Sequence, residues 1–220
     1  MNGSGEFEAR PKLLLLGATG RTGRQLLSQG LELDYVITAL VRNTDGVALE
    51  HERMRTVTGD ATDGAAMDEA LDGQDAVVCA LGPTSPTSLL RCALMQETSR
   101  ALVPSMKRHA VNRLVLLSAL GVGASAAHAP PLLRIAFQTL LRQVGKDKAA
   151  AEEFIRSTDI DWTVVYPPSL TDGPRTGSYR SGEALELNGL PRISRGDVAE
   201  FMLAQLEQAT YSRKVAIVSP

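Results

Sequence analysis

Gly17, Gly20 and Gly23 stand two residues apart from one another, directly after the apolar run Lys12-Leu13-Leu14-Leu15-Leu16. A helix-compatible segment, Arg24 to Gln29, follows at once. Glycines spaced this way between a strand and a helix suit the cradling of a pyrophosphate. Gly17 would turn the chain sharply off the strand. Gly20 would let a phosphate reach the backbone with no Cβ in the way, and Gly23 would let the helix pack closely on the strand. The phosphates would then rest on N–H groups at the positive end of that helix. The candidate loop is Gly17, Ala18, Thr19, Gly20, Arg21, Thr22 and Gly23. The motif is the GxxGxxG variant of the dinucleotide fingerprint, and a tight strand-to-helix turn would use the same residues.

Further candidates recur at the ends of later apolar runs. Tyr35 to Val41 ends at Arg42, about twenty residues past the last glycine, and no acid precedes it. An acid there would bond the 2′-hydroxyl of NAD, whereas an arginine can pair with the 2′-phosphate of NADP. Arg21 could form the other side of that anion clamp, or both arginines could simply lie in solvent. Asp60, with the N–H of Ala61, could bind an adenine amino group, or it could cap the helix expected near Asp63. Leu81-Gly82 ends the run Asp75 to Leu81, where a small residue permits close approach to a ribose.

The elements that must position these groups follow from apolar patterning. Strands are expected at 12–16, 35–41, 55–58, 75–81, 113–117, 161–166 and 214–218. Helices are expected at 24–29, 47–54, from near 63, at 86–110, at 146–157 and at 194–208. Pro104 should kink or break the long helix, whose Leu89, Leu90, Ala93, Leu94, Leu102 and Met106 fall at core-facing intervals. The segment 132–144 is apolar on more than one face and reads as core in preference to a lid or partner surface. Residues 169–192 are rich in Gly, Pro, Ser and Thr and read as a long functional loop. Alternating strands and helices argue an α/β fold with a doubly wound parallel sheet, covered on both faces. Every candidate named so far then falls on the carboxyl edge of that sheet, where ligands bind.

Composition bounds the answer. The 220 residues suit one domain over 11–220, with 1–10 read as a disordered lead-in or tag. A formal charge of −2 offers no basic surplus for nucleic acid or an anionic membrane, and no apolar run is long enough to span a bilayer. Cys79 and Cys92 lack metal-ligand company, and His51, His109 and His128 are scattered, so no metal is expected. Reduced thiols and the lack of a signal-peptide core point to the cytoplasm. The oligomeric state, monomer or dimer, stays open.

The motifs Leu16-Gly-Ala-Thr-Gly-Arg-Thr-Gly23, Leu40-Val-Arg-Asn43, Gly59-Asp-Ala61 and Gly73-Gln-Asp-Ala-Val-Val78 resemble the atypical short-chain dehydrogenase/reductase family. Leu170-Thr-Asp-Gly-Pro-Arg-Thr-Gly-Ser-Tyr-Arg180 and Ile193-Ser-Arg-Gly-Asp-Val-Ala199 are similar to its NmrA-like and biliverdin-IXβ (flavin) reductase branch. The resemblance runs over about residues 11 to 218. It implies a Rossmann sheet with a small C-terminal substrate region and NADP(H) as cofactor. It also implies that backbone groups of Tyr166, Pro167, Pro168 and Ser169 frame the nicotinamide amide.

Members of the wider superfamily commonly use a Ser with a Tyr and Lys four apart on one helix, the Lys lowering the Tyr pKa. Ser118 matches the Ser and Lys148 the Lys, but Val144 stands four residues before Lys148. Tyr35, Tyr166, Tyr179 and Tyr211 all lack a Lys four positions on. Ser118 could bond an acceptor or the carboxamide, or merely its own loop. Lys148 could reach the ribose, or form a solvated ion pair with Glu152 at i+4. The expected activity is therefore hydride transfer from NADPH to a planar conjugated acceptor (a flavin, quinone or biliverdin-like tetrapyrrole) that needs little proton chemistry from the protein. The alternative is a non-catalytic NADP(H)-binding redox sensor of the NmrA-like type. A sugar-nucleotide epimerase, which needs the Tyr, ranks below both.

Overall fold

The computed structural model describes residues 10–44, 51–83, 93–187 and 189–220. The run Leu13 to Leu16 forms β1 (Lys12–Leu16), and all four leucines are fully buried. Side chains alternate along a strand, so burial of every one means that both faces are covered. At about 2 kcal/mol for each buried leucine, these four contribute gross burial comparable with the net stability of a whole domain. The rest of the sheet forms around them.

In chain order, β1 is followed by α1 (Arg21–Glu32), β2 (Val36–Val41), β3 (Met54–Thr58), α2 (Gly64–Leu71) and β4 (Ala76–Cys79). Then come α3 (Leu94–Arg108), β5 (Arg113–Leu117), a 3₁₀ turn (Gly123–Ala127), α4 (Pro131–Gln138) and α5 (Arg142–Arg156). The chain ends with β6 (Asp161–Tyr166), β7 (Ser169–Thr171), β8 (Arg180–Gly182), β9 (Arg192–Ser194), α6 (Arg195–Gln208) and β10 (Lys214–Ser219). The main sheet runs β3-β2-β1-β4-β5-β6-β10-β8, and the order reverses between β1 and β4, as in Rossmann folds. Leu14, Leu16, Val77, Leu114 and Val164 face a core shared with α2, α3 and α5. Leu13, Leu15, Val78, Val115 and Val165 face the core under α1 and α6.

Four expectations are corrected. The sheet is mostly, not wholly, parallel: β8 pairs antiparallel with β10, taking its three residues from the stretch read as loop. The same stretch supplies β7, which pairs with β9 in a small second sheet. Elements three residues long leave no periodic signal. Secondly, α3 runs unbroken through Pro104, which is exposed, so the carbonyl left without its helical donor can turn to water. Ala93 and Leu94, just before and at the start of α3, are exposed and half-buried rather than core, whereas Leu102 and Met106 are core. Thirdly, the segment 132–144 is not core. The chain breaks between α4 and α5, no residue of α4 is buried, and Leu132, Ile135 and Leu140 are 59 %, 54 % and 85 % exposed. Burial resumes only at Val144, inside α5. Lastly, Met54 belongs to β3 and not to a preceding helix. Residues 51–53 of that expected helix are not helical either, and 47–50, together with 86–92 (Leu89, Leu90 and Cys92) and 1–9, lie outside the described residues.

The last helix is capped as its sequence suggests. The Ser194 hydroxyl accepts from Asp197 N at 2.9 Å and donates to Asp197 Oδ2 at 2.7 Å. Asp197 also accepts from the N–H groups of Thr176 (2.6 Å) and Gly177 (2.9 Å), fastening the 169–192 stretch to α6. Burial pushes this carboxyl up, but the bonds from Ser194, Thr176 and Gly177 outweigh it and the net shift is downward. A depressed carboxyl lends stability above the ordinary carboxylate range, and that stability is lost as pH falls through its folded value. Asp197→Ala is expected to cost about 2–3 kcal/mol in urea denaturation near neutral pH, and to flatten the acid side of the stability–pH curve.

Candidate functional site

The first candidate loop takes its shape from two contacts that only glycine permits. Gly17 has φ +91°, and a Cβ there would lie 2.8 Å from the Ala80 carbonyl oxygen at the end of β4. A Cβ on Gly23 would overlap the Gly17 carbonyl. Gly20 N donates to Gly17 O at 3.0 Å and stands as N-cap of α1, with no side chain capping the helix. The result is a cradle with a bare helix N-terminus, drawn close to the end of β4 by contacts that no Cβ permits. Such a cradle fits a pyrophosphate, which would sit against the first-turn N–H groups.

That cradle opens into a cleft of about 420 Å³. Gly17, Thr19 and Gly20 line one end, Arg42, Asp60 and Ala61 another, and Leu81 and Gly82 the floor by β4. Ala18, Thr22 and Gly23 do not line it: Ala18 and Thr22 are buried, and Gly23 packs on the turn. Arg21, expected in the clamp, does not line this cleft. Its guanidinium pairs at 2.9 Å with Asp172, which also holds Arg195 at 2.6 Å. Arg42 thus faces the cleft without it. Asp60 does not cap α2 either, because Asp63 does so through Ala65 N. Asp60 Oδ1 instead accepts from the N–H and hydroxyl of Thr62, at 2.9 and 2.8 Å. These bonds, with help from the Arg42 charge, hold its carboxyl below the usual range.

Ala93, Leu94 and Glu97 close the cleft from α3. Sequence reading missed this wall because it assigned Ala93 and Leu94 to the core. What holds α3 there is Asp147 of α5, whose carboxylate accepts from Met95 N and Gln96 N at 3.0 Å each. A carboxylate from a neighbouring helix thereby serves as the missing N-cap.

A second group of candidates gathers where β5 and β6 end against α5. Ser118 donates to Glu152 Oε1, Tyr166 Oη donates to Glu152 Oε2 at 2.6 Å, and Lys148 Nζ donates to Leu117 O at 3.1 Å. All four side chains are buried. The solvated Lys148–Glu152 pair is therefore corrected to a buried polar cluster. Burial pushes the Glu152 carboxyl up, against the opposing pull of Ser118, Tyr166, Lys148 and Arg156. Burial and the neighbouring Glu152 push the Tyr166 phenol far up, so it stays a neutral donor. At the end of β4, burial raises the Cys79 thiol to about 11, with the Lys148 charge pulling the other way.

The Tyr166–Ser169 backbone is largely committed elsewhere. Tyr166 registers against Ile217 of β10, the Pro167 carbonyl accepts from Leu120 N at 2.9 Å, Pro168 is buried and Ser169 pairs with Arg192. The roles of Glu152 and the Tyr166 side chain were missed. The available signal was charge at core-facing positions, since Asp147, Lys148, Ala151, Glu152 and Ile155 form the buried face of α5. Among the described residues no group of three or more His, Cys, Asp or Glu gathers to hold a metal. No described helix is long and apolar enough to cross a membrane.

A family profile described as NAD(P)H-binding matches residues 17–209, nearly the whole chain. The chain belongs to this NAD(P)H-binding family. A relative, the uncharacterized chloroplastic protein At2g34460 of Arabidopsis thaliana, is 28 % identical over 211 residues, covering 93 % of this chain and 75 % of that one. Two solved structures share the fold. ChuY, an anaerobillin reductase from Escherichia coli O157:H7, superposes with TM-score 0.78 at 21 % identity, over 94 % of this chain and 96 % of its own. A short-chain dehydrogenase/reductase from Veillonella parvula, solved in complex with NADP, gives 0.79 at 18 % identity, over 96 % and 95 %. The Rossmann fold is thereby confirmed, and NAD(P)H is the family's cofactor.

Gly23→Ala is expected to lose about 1–3 kcal/mol in chemical denaturation and to weaken NADPH binding. Gly64→Ala, where a Cβ meets nothing within 4 Å, serves as the control that should gain a few tenths of a kcal/mol.

Proposed function

We propose that the protein is an NADPH-dependent reductase whose acceptor is planar and conjugated: a linear tetrapyrrole, a flavin or a quinone. The observation that carries this is on α5. If Lys148 is the counterpart of the superfamily Lys, buried Val144 stands where a Tyr would serve as acid and base, and Tyr166, the phenol in the cluster, is tied to Glu152. A carbonyl–alcohol interconversion needs that phenol, whereas a conjugated acceptor spreads the charge of an incoming hydride over its own π system. ChuY, an anaerobillin reductase of the same fold, supports the choice of acceptor.

The bound cofactor would supply the hydride, and the protein's contribution is placement. The α1 N-terminus would hold the diphosphate, Arg42 the ribose 2′-phosphate, and Asp60 with Ala61 the adenine edge. Leu81 and Gly82 leave room for the second ribose. Lys148, beside the ends of β4 and β5, would bind that ribose, and Ser118 the acceptor. A second reading, a redox sensor without turnover, draws on the exposed apolar side chains of α4, which offer a partner a surface.

Steady-state NADPH oxidation with flavin mononucleotide, a quinone and biliverdin separates the two. Turnover with at least one acceptor is expected, and tight NADPH binding with none would leave only the sensor. Arg42→Ala should weaken NADPH by about 10–100-fold in titration calorimetry while leaving NADH nearly unchanged, as expected for a lost charge-assisted contact to phosphate. Ser118→Ala should lower kcat by about tenfold or more with little change in NADPH affinity.

A further inference from the structure

Glu152 has no part in holding cofactor, yet it is a nearly inaccessible carboxyl bonded on one oxygen to Ser118 and on the other to Tyr166. It also belongs to the lining of a cavity of about 580 Å³, together with Gly123, Arg156 and Trp162. Gly123 lines the same cavity; it has φ +48°, and a Cβ there would strike Glu152 Oε2. One carboxyl therefore touches a solvent-facing cavity and the Ser118 hydroxyl at the carboxyl edge of the sheet.

We propose that Glu152 recharges Ser118 with protons: the Ser118 hydroxyl protonates the reduced acceptor, Glu152 replaces that proton, and water in that cavity restores Glu152. This deepens the reductase reading and rests on it. The balance closes. The acceptor gains a hydride, NADPH being oxidised to NADP⁺, and the anion formed takes the Ser118 proton as that O–H bond breaks. The Glu152 O–H bond breaks in turn as Ser118 regains its proton, and the carboxylate left behind is reprotonated from water. Hydroxyl protons rotate freely, so the same Oε1–Oγ contact serves in either direction.

The groups facing the carboxyl agree with this role. Ser118 comes from β5 and Tyr166 from β6, while Lys148 and Arg156 lie on its own helix. The 3₁₀ turn, Gly-Ala-Ser-Ala-Ala, adds no ionisable group. Burial favours the protonated acid, and the two cations with the Tyr166 donor stabilise the carboxylate after it has given up its proton. Glu152 acts through Ser118 and is a positioning residue rather than a group in contact with the acceptor.

The test compares wild type, Glu152→Gln and Tyr166→Phe in biliverdin reduction by NADPH across pH, with NADPH affinity and infrared spectra of the cofactor-free protein measured in parallel. Wild-type kcat should fall on the alkaline side as the acid ionises, and a protonated-carboxyl C=O band should vanish over the same pH range. Glu152→Gln should lower kcat by about tenfold and by no more than Ser118→Ala does, abolish the alkaline limb and remove the band, while NADPH affinity stays within about twofold. Tyr166→Phe, which removes a donor to the carboxylate, should move both limb and band to higher pH. A Glu152→Gln enzyme with wild-type kcat and an intact limb, or a Tyr166→Phe limb that does not move, would overturn the relay alone. Should Glu152→Gln fail to bind NADPH through misfolding, the Tyr166→Phe shift and the wild-type band decide the matter. Wild type that binds NADPH but reduces no acceptor would overturn the reductase reading, and this inference with it.

Discussion

The structure depends on one close approach, the Gly23 backbone lying against the Gly17 carbonyl while Gly17 itself presses on the end of β4. Helix and strand axes can come this near only where side chains are missing. Because α1 is drawn in, its N-terminus points into the cleft and Leu26 and Leu27 reach the β1 and β2 core. The same contact places the end of β4, with Leu81 and Gly82, opposite the helix. Site geometry and core packing are here a single constraint, and neither can be altered at Gly23 without the other.

Buried polar groups do the remaining alignment. At the end of the sheet away from the cleft, Arg113 begins β5 and donates to Gln205 O at 2.7 Å, Thr163 Oγ1 at 2.7 Å and Asp161 Oδ1 at 3.2 Å. It ties β5, β6 and α6 together. Desolvation works against such a charge, and its cluster of acceptors is what makes the position tolerable. Asp147 does the equivalent for α3 at the cleft end, and Glu152 for β5, β6 and α5. Each lies between elements distant in sequence, so losing one partner would leave a polar group stranded in low dielectric.

Much of this was legible in the residues. The leucine run, the three glycines and the strand–helix alternation carry local signals strong enough to give the sheet, its layers and the cleft end at Gly17, Arg42 and Asp60. Ser194 declared the start of α6 by its own chemistry. What could not be read depends on distant partners. Arg21 reads as a phosphate ligand, and its ion pair with Asp172, 151 residues away, leaves no mark in the local sequence. Lys148 and Glu152 look like a surface pair at i+4 until β5 and β6 bury that face. The apolar α4 segment has the composition of core, yet none of its residues is buried, and hydrophobicity alone carries no address.

The two borders of the main sheet have a consequence for the molecule's behaviour in company. Open strand borders invite a second chain to add itself by backbone pairing, and from there to fibres. One border here is β8, only three residues long and carrying Arg180; the other is β3, where exposed Arg55 reaches across to the Glu69 carbonyl at 3.1 Å. A short rim at one margin and a guanidinium at the other deny a neighbouring copy a flat, apolar template. Backbone pairing at either margin of the main sheet is thereby discouraged.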